Sequence, residues 1–219
     1  MARNYTKEEA IKCVVSNAKI YNKKLENESM LVVYKVDDTE FAHIEIVFVA
    51  NNYQHLTGVE LIDTEGNIIK FQSENFYRKC LENKLSPEEI SFKEDGTTPL
   101  KLEALSAIMK IHSVTKIVGD YNDKQPFLCV DKTVGNVNVC LGVRCNDSGF
   151  YYPVSALRKD IRELSNNQSQ VIAVFTKNPQ ENIYSRIRHV AKGVNLNNIS
   201  FSEGLSDKVT LENYKPKRN

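Results

Sequence analysis

Apolar positions fall at helical spacing in the first half of the chain and at strand spacing in the second. Ile11, Val14, Val15, Ala18, Tyr21 and Leu25 recur three or four residues apart, behind a capping box formed by Thr6 and Glu9. The pattern predicts a helix over Lys7–Leu25, with Lys12, Lys19 and Lys23 on an adjoining solvated face. Met30–Val36 and Phe41–Val49 read as two strands joined at Asp37-Asp38, a hairpin. Further on come a short extended stretch at Val59–Ile62, an acidic turn at Thr64-Glu65-Gly66 and a helix over Ser73–Leu85. Ser86-Pro87-Glu88-Glu89 places serine at a cap and proline at the first helical position, so a short helix starts there. After a polar loop, Lys93–Thr98, the stripe Leu102, Leu105, Ala107, Ile108, Met109 predicts a helix over Leu100–His112. His112 at its end can complement the helix dipole.

From Thr115 the period drops to two. Lys116–Tyr121, Phe127–Thr133, Val137–Arg144, Phe150–Pro153 and Val171–Thr176 read as strands, separated by turn signals such as Gly135-Asn136 and Asn146-Asp147-Ser148-Gly149. Ser155–Leu164 reads as a helix after Tyr152-Pro153, and Tyr184–His189 is rich in arginine. In the third strand, Val137, Val139, Leu141 and Val143 share one face and Asn138, Cys140, Gly142 and Arg144 the other. The small-residue face is either a shallow groove or the seat of a second packing layer. Helices followed by an antiparallel meander predict an α+β fold, N-terminal helices packed on an antiparallel β-sheet. The expected organisation is an N-terminal helix over residues 1–28, a main domain over 29–193 and a polar C-terminal tail over 194–219. That tail is sparse in apolar residues and ends K-P-K-R-N, so it is expected to be mobile or weakly docked beyond Leu205.

Composition narrows the class. The 219 residues are 41% hydrophobic and 26% charged, ordinary values for a soluble globular protein. No run approaches the length of a membrane-spanning helix, and the start reads as a helix rather than an apolar signal segment, so a cytoplasmic location is expected. Five scattered cysteines without a C-x-x-C pair argue against a disulfide framework and a zinc ribbon. A net charge of +1 announces no polyanion partner. The charge is unevenly spread, however: Asn51–Glu103 carries ten acidic and six basic residues, Phe150–Gly193 seven basic and three acidic. A polyanion would meet the second region.

The stretch Phe48–Gly58, F-V-A-N-N-Y-Q-H-L-T-G, follows the second strand and holds His55 beside Tyr53, Thr57 and Gly58. One reading makes His55 a half-buried, hydrogen-bonded cap of a short helix; the other makes it a reactive group displayed past a strand end. His43-Ile44-Glu45 has the H-x-E of zinc deaminases, but no P-C-x-x-C follows to complete a metal site. Walker, G-x-G-x-x-G and G-x-S-x-G motifs are absent, and carboxylates do not cluster as a two-metal nuclease needs. The remaining histidines, lysines, arginines and hydroxyls suit metal-free RNA cleavage, in which the substrate's own 2′-OH attacks phosphorus. The protein then supplies a base, an acid and fixed cations.

N-Y-Q-H-L-T-G (Asn52–Gly58), F-Y-R-K-C-L (Phe76–Leu81), D-K-T-V-G-N (Asp131–Asn136) and Y-Y-P-V-S-A-L-R-K-D-I-R (Tyr151–Arg162) together resemble a phage- and prophage-associated family. That family is assigned to the nuclease superfold shared by barnase, EndoU, the colicin tRNases and RelE. The resemblance runs from about Met30 to His189 and implies an α+β nuclease domain, a metal-independent RNA-cleaving activity and no cofactor. It implies His55 as general acid or base, Lys132, Arg162 and Lys177 on phosphate, Ser155 on a phosphoryl oxygen, and Asp160 orienting Arg162 or pairing with a neighbour. Where the family motif more often reads P-N or P-x-S after the tyrosine, Val154 leaves the polar role to Ser155. Substrate contacts are expected from Tyr53, Thr57, Arg144, Arg158 and Arg188, and all the catalytic groups are expected in one cleft. The expected partners are RNA, such as tRNA or another structured RNA, and a protein antidote or host defence protein, with no membrane. The alternative is a non-catalytic phage-encoded binding protein on the same fold, an inhibitor of a host defence complex.

Overall fold

The computed structural model describes residues 3–26, 28–125 and 127–216; the last three residues of the basic C-terminus lie outside them. Thr6 caps the first helix, α1 (Lys7–Tyr21): its side chain accepts from the Glu9 N–H, and Glu9 accepts in return from the Thr6 N–H at 3.0 Å. One wide π-turn, Asn22–Glu26, continues the helix and leads to the hairpin β1 (Ser29–Lys35) and β2 (Phe41–Val47). Next come α2 (Ala50–Thr57), β3 (Val59–Leu61), α3 (Ser73–Leu81), a 3₁₀ turn at Pro87–Glu89 and β4 (Ile90–Phe92). β3 and β4 pair as a small separate ladder. The apolar stripe ahead of Thr115 forms two helices, α4 (Thr98–Ile108) and α5 (Ile111–Val114), rather than one. The chain finishes with β5 (Ile117–Tyr121), β6 (Lys132–Asn136), β7 (Val139–Cys145), β8 (Tyr151–Leu157), α6 (Ile161–Leu164), β9 (Ser165–Lys177), β10 (Arg186–Val190), a 3₁₀ turn at Leu196–Asn198 and α7 (Glu203–Ser206).

The class is α+β, and the sheet closes on itself. Strand order is β1-β2-β8-β7-β6-β5-β9-β10, and β1 also pairs with β9, which closes a ring of seven strands with β10 outside it. Every pairing is antiparallel except β2–β8, which meet in parallel through Ile46 and Tyr151. The long β9 makes closure possible: its first half pairs with β5 and its second half with both β1 and β10.

Three further segments depart from expectation, each because packing outweighs local pattern. Phe127–Val130 is loop, not strand. Val130 covers the small-residue face of β7, where a Cβ on Gly142 would lie 2.8 Å from the Val130 side chain. That face is therefore the seat of a packing layer, with Cys140 buried among Leu157, Ile161 and Leu164. The expected helix over Ser155–Leu164 is strand through Leu157, followed by one helical turn. Pro153 sits where the β7–β8 register shifts, a position that tolerates the missing N–H.

The third departure is the C-terminal segment, which docks firmly. Leu196 and Leu205 are fully buried in a second core with Leu31, Val33, Ile172 and Phe175. Val194, Ile199, Phe201, Val209, Leu211 and Tyr214 pack against it. The segment is sparse in apolar residues, but nearly all of them point one way. The main core joins α1–α4 to the opposite face of the sheet, at Met30, Val32, Ile44, Ile46, Leu141 and Val174 among others.

Candidate active site

The chemical groups predicted from sequence spread over several places. His55 lies in the last turn of α2 with its side chain exposed. Partial desolvation, then Lys101 and Lys93, lower its pKa. Its carbonyl accepts from the Lys101 ammonium at 2.9 Å, so Lys101 caps the helix that Gly58 ends in a left-handed conformation. Burial, reinforced by Lys93, pulls Lys101 itself down to about 8. Lys132 is half-buried at the start of β6 and pairs with Asp120 at 2.6 Å. It lines an open cleft of about 450 Å³ with Tyr34, Asn167 and Gln168. Ser155 is buried opposite Gly142, its hydroxyl without a partner among the described residues. Arg162 is exposed and its guanidinium is engaged by Asp160 at 2.6 Å. Lys177 lies 4.7 Å over the Tyr184 ring.

Among the described residues no hydrogen bond or ion pair joins any of these five to another. Arg162 lies just before β9 and Lys177 is its last residue, so the thirteen-residue strand runs between them. Tyr53 and Thr57 lie beneath the surface: the Tyr53 hydroxyl donates to the Val14 carbonyl at 2.5 Å, and the Thr57 hydroxyl donates to the Gln54 carbonyl at 2.8 Å. Both bonds tie α2 into the fold. Arg144 is exposed at the end of β7, and Arg158 is exposed with Glu103 3.6 Å away.

Arg188 leads to a different constellation. β10 carries Arg186 and Arg188, and the β9–β10 register shifts between Ile187 and His189. Arg188 is thus the extra residue of a bulge, a device that re-aims side chains beside functional sites. Its Nε donates to the Thr176 hydroxyl at 2.9 Å, and its Nη2 pairs with the Glu28 carboxylate. Arg186 approaches the same carboxylate at 3.5 Å and holds Glu181 at 3.1 Å. Glu28, delivered by the π-turn after α1 to the start of β1, therefore sits between two guanidinium groups.

His112 completes the group from α5, which packs on β9 and β10. It is 8% exposed. Burial first, then the charge of Arg188, lower its pKa, while Glu28 opposes this. A neutral ring is favoured near pH 7, which removes the expected dipole role, since that role needs a cation.

Buried polar atoms in folded proteins nearly always find partners. Here Glu28 Oε2, His112 Nδ1, and Arg186 Nε and Nη2 have no hydrogen-bond partner among the described residues, and they crowd one site. The Arg186 and Arg188 side chains are 32% and 33% exposed, so the group opens to solvent through its cations. A carboxylate, two guanidiniums and a histidine with free hydrogen-bonding capacity are thus brought together, group types that phosphate-ester chemistry uses. Sequence spacing could not have shown it, because the groups come from the α1–β1 junction, α5, β9 and β10. Its one local signal was the R-x-R of an arginine-rich strand.

The fold is of the α+β class. The chain belongs to the phage-Barnase-EndoU-ColicinE5/D-RelE like nuclease 4 family, whose model matches residues 14–193 and so spans Glu28, His112, Arg186 and Arg188. No curated protein and no solved structure matches the chain. Among the described residues no helix is long and apolar enough to cross a membrane.

Proposed function

We infer that this protein is a metal-independent endoribonuclease that cleaves RNA by attack of the 2′-OH, with His112 as the proton carrier. The observation that carries the reading is the set of buried atoms on Glu28, His112 and Arg186 without a hydrogen-bond partner, grouped around two guanidiniums. Neutral His112 takes the 2′-OH proton as the 2′-oxygen bonds to phosphorus. The imidazolium so formed carries that proton to the departing 5′-oxygen. Arg186 and Arg188 meet the charge on the phosphoryl oxygens, where fixed donors are worth most. Glu28 holds the two guanidiniums in place.

Total RNA incubated with the protein in EDTA should be cut, and a strand with 2′-deoxy at the cleavage position should be inert because the nucleophile is missing. His112→Ala should lower turnover by roughly 10²–10⁴-fold, the usual worth of a proton-transfer group. His55→Ala is the discriminating arm, since Lys101 and Lys93 give that exposed histidine cations of its own. Full activity in His112→Ala with loss in His55→Ala would move the chemistry to α2. RNA that binds and stays intact with the unmodified protein would leave the binding-protein reading standing instead.

A further inference from the structure

The C-terminal segment, residues 194–216, lies beyond the stretch that matches the nuclease family, yet it reaches back towards the candidate site. The loop between β9 and β10 is its point of grip. Tyr184 in that loop donates its N–H to the Lys208 carbonyl at 2.8 Å, and its own carbonyl accepts from Thr210 at 3.2 Å. The two stretches make a parallel bridge at Tyr184 and Val209. Side chains repeat the connection. Glu45 on β2 pairs with the Lys208 ammonium and accepts from the Tyr184 hydroxyl at 2.9 Å. The Glu45 side chain is only 11% exposed. Burial alone would raise its pKa, but the bonds from Lys208 and Tyr184 outweigh that and hold it below the usual carboxylate range.

Tyr184 stands two residues before Arg186 and three after Glu181. Glu181 fixes the loop by accepting from the Asn178 N–H at 2.8 Å, and it grips Arg186 at 3.1 Å. The loop that sets the Arg186 guanidinium is thus anchored on one side by β9 and on the other by the C-terminal segment.

We propose that Lys208 and Tyr184 are positioning residues: through them the C-terminal segment clamps the β9–β10 loop and sets Arg186 beside Glu28. The proposal rests on the reading of Glu28, Arg186, Arg188 and His112 as the nuclease site. Its physical content is preorganisation, since a guanidinium displaced by about 1 Å can cost on the order of 10²-fold in rate.

The test uses the full chain carrying Lys208→Met, which keeps the apolar stem and removes the cation, and separately Tyr184→Phe. Lys215→Met, in the exposed end of the same segment, is the control. Amide hydrogen exchange over residues 178–188 reads the clamp without reference to catalysis, and RNA cleavage reads its consequence. Lys208→Met and Tyr184→Phe should each speed exchange in the loop by about tenfold or more. They should lower kcat/KM by roughly 10- to 100-fold, with Lys215→Met at the unmodified level in both assays. A preserved melting temperature separates this from general unfolding. Unchanged exchange in both variants overturns the clamp. Faster exchange with undiminished cleavage overturns the link to Arg186. If the unmodified protein cuts no RNA, the nuclease reading fails on its own, and phosphate affinity measured on the same variants replaces cleavage as the readout of Arg186.

Discussion

Replacing Leu205 by alanine tests whether the C-terminal segment is part of the folded unit. Leu205 is fully buried, on the single turn of α7, against a core that contains Leu31, Val33, Ile172 and Phe175. Truncating a leucine in such a place removes its transfer free energy and leaves a cavity, together about 2–5 kcal/mol. For a chain of this size each kcal/mol moves the melting temperature by roughly 2–4 °C. A mid-range loss of about 3 kcal/mol then lowers it by about 6–12 °C. Thermal melts followed by circular dichroism suffice, with Ile183→Ala as reference. Ile183 is 46% exposed, so its truncation should cost no more than about 0.5 kcal/mol. A shift below about 2 °C for Leu205→Ala would mean that the segment rests on the sheet without contributing to stability. The argument from buried apolar area, and the clamp with it, would then be refuted.

Acid should destabilise the protein from about pH 6.5 downwards. His43, His55 and His112 all have folded-state pKa values below the usual one, so the unfolded chain binds protons that the folded chain refuses. Their contribution is whole above about pH 6.5 and is lost as pH falls towards the lowered values, at no more than about 1.4 kcal/mol per pH unit for each group. His112→Gln should flatten the fall of melting temperature between pH 7 and 5, and an unchanged slope would refute the assignment. Gly135→Ala should cost about 3 kcal/mol or more, because a Cβ there would lie 2.1 Å from the Val139 carbonyl oxygen, a backbone atom that cannot move aside. Denaturant titration against the unmodified chain measures it.

Much of the fold could be read from the chain because local and tertiary preferences agree. The Thr6–Glu9 box starts α1, the Asp37-Asp38 turn joins β1 to β2, and the fall of the apolar period near Thr115 marks the start of the run of strands from β5 onward. Errors arose where one residue type serves two purposes. An apolar run such as Phe127–Val130 looks like a strand, but its role is to cover Gly142 and Cys140. Pro153 looks like a helix start, but it occupies a register shift in β8. Closure of the sheet could not be read at all. It depends on β9 being long enough to pair with β5 at one end and β1 at the other, and pattern does not encode which neighbours a buried strand chooses.

The site was harder to read than the fold for a related reason. Motif reading favours residues that stand near glycine, proline or a strand end, and it selected Lys132 and Arg162, whose side chains pair with Asp120 and Asp160, and His55, whose backbone carbonyl accepts from Lys101. A site for a foreign phosphate ester leaves the opposite trace: polar groups brought together from distant elements and not fully satisfied by one another. Glu28 and Arg188 are 160 residues apart in the chain, so no spacing rule links them. His112 was visible only as a histidine at a helix end, and the neutral form it favours depends on burial against β10 and on Arg188, neither of which the sequence reveals. The bulge adds a further step. Strict alternation already places Arg186 and Arg188 on one face, yet the shift at Ile187 breaks that alternation. Both still reach Glu28 because the extra residue turns the Arg188 side chain back towards Thr176. The bulge thus gives Arg188 partners on both Thr176 and Glu28, while the atoms without a hydrogen-bond partner lie on Glu28, His112 and Arg186. On the proposed function, two guanidiniums on one carboxylate would meet one phosphoryl group.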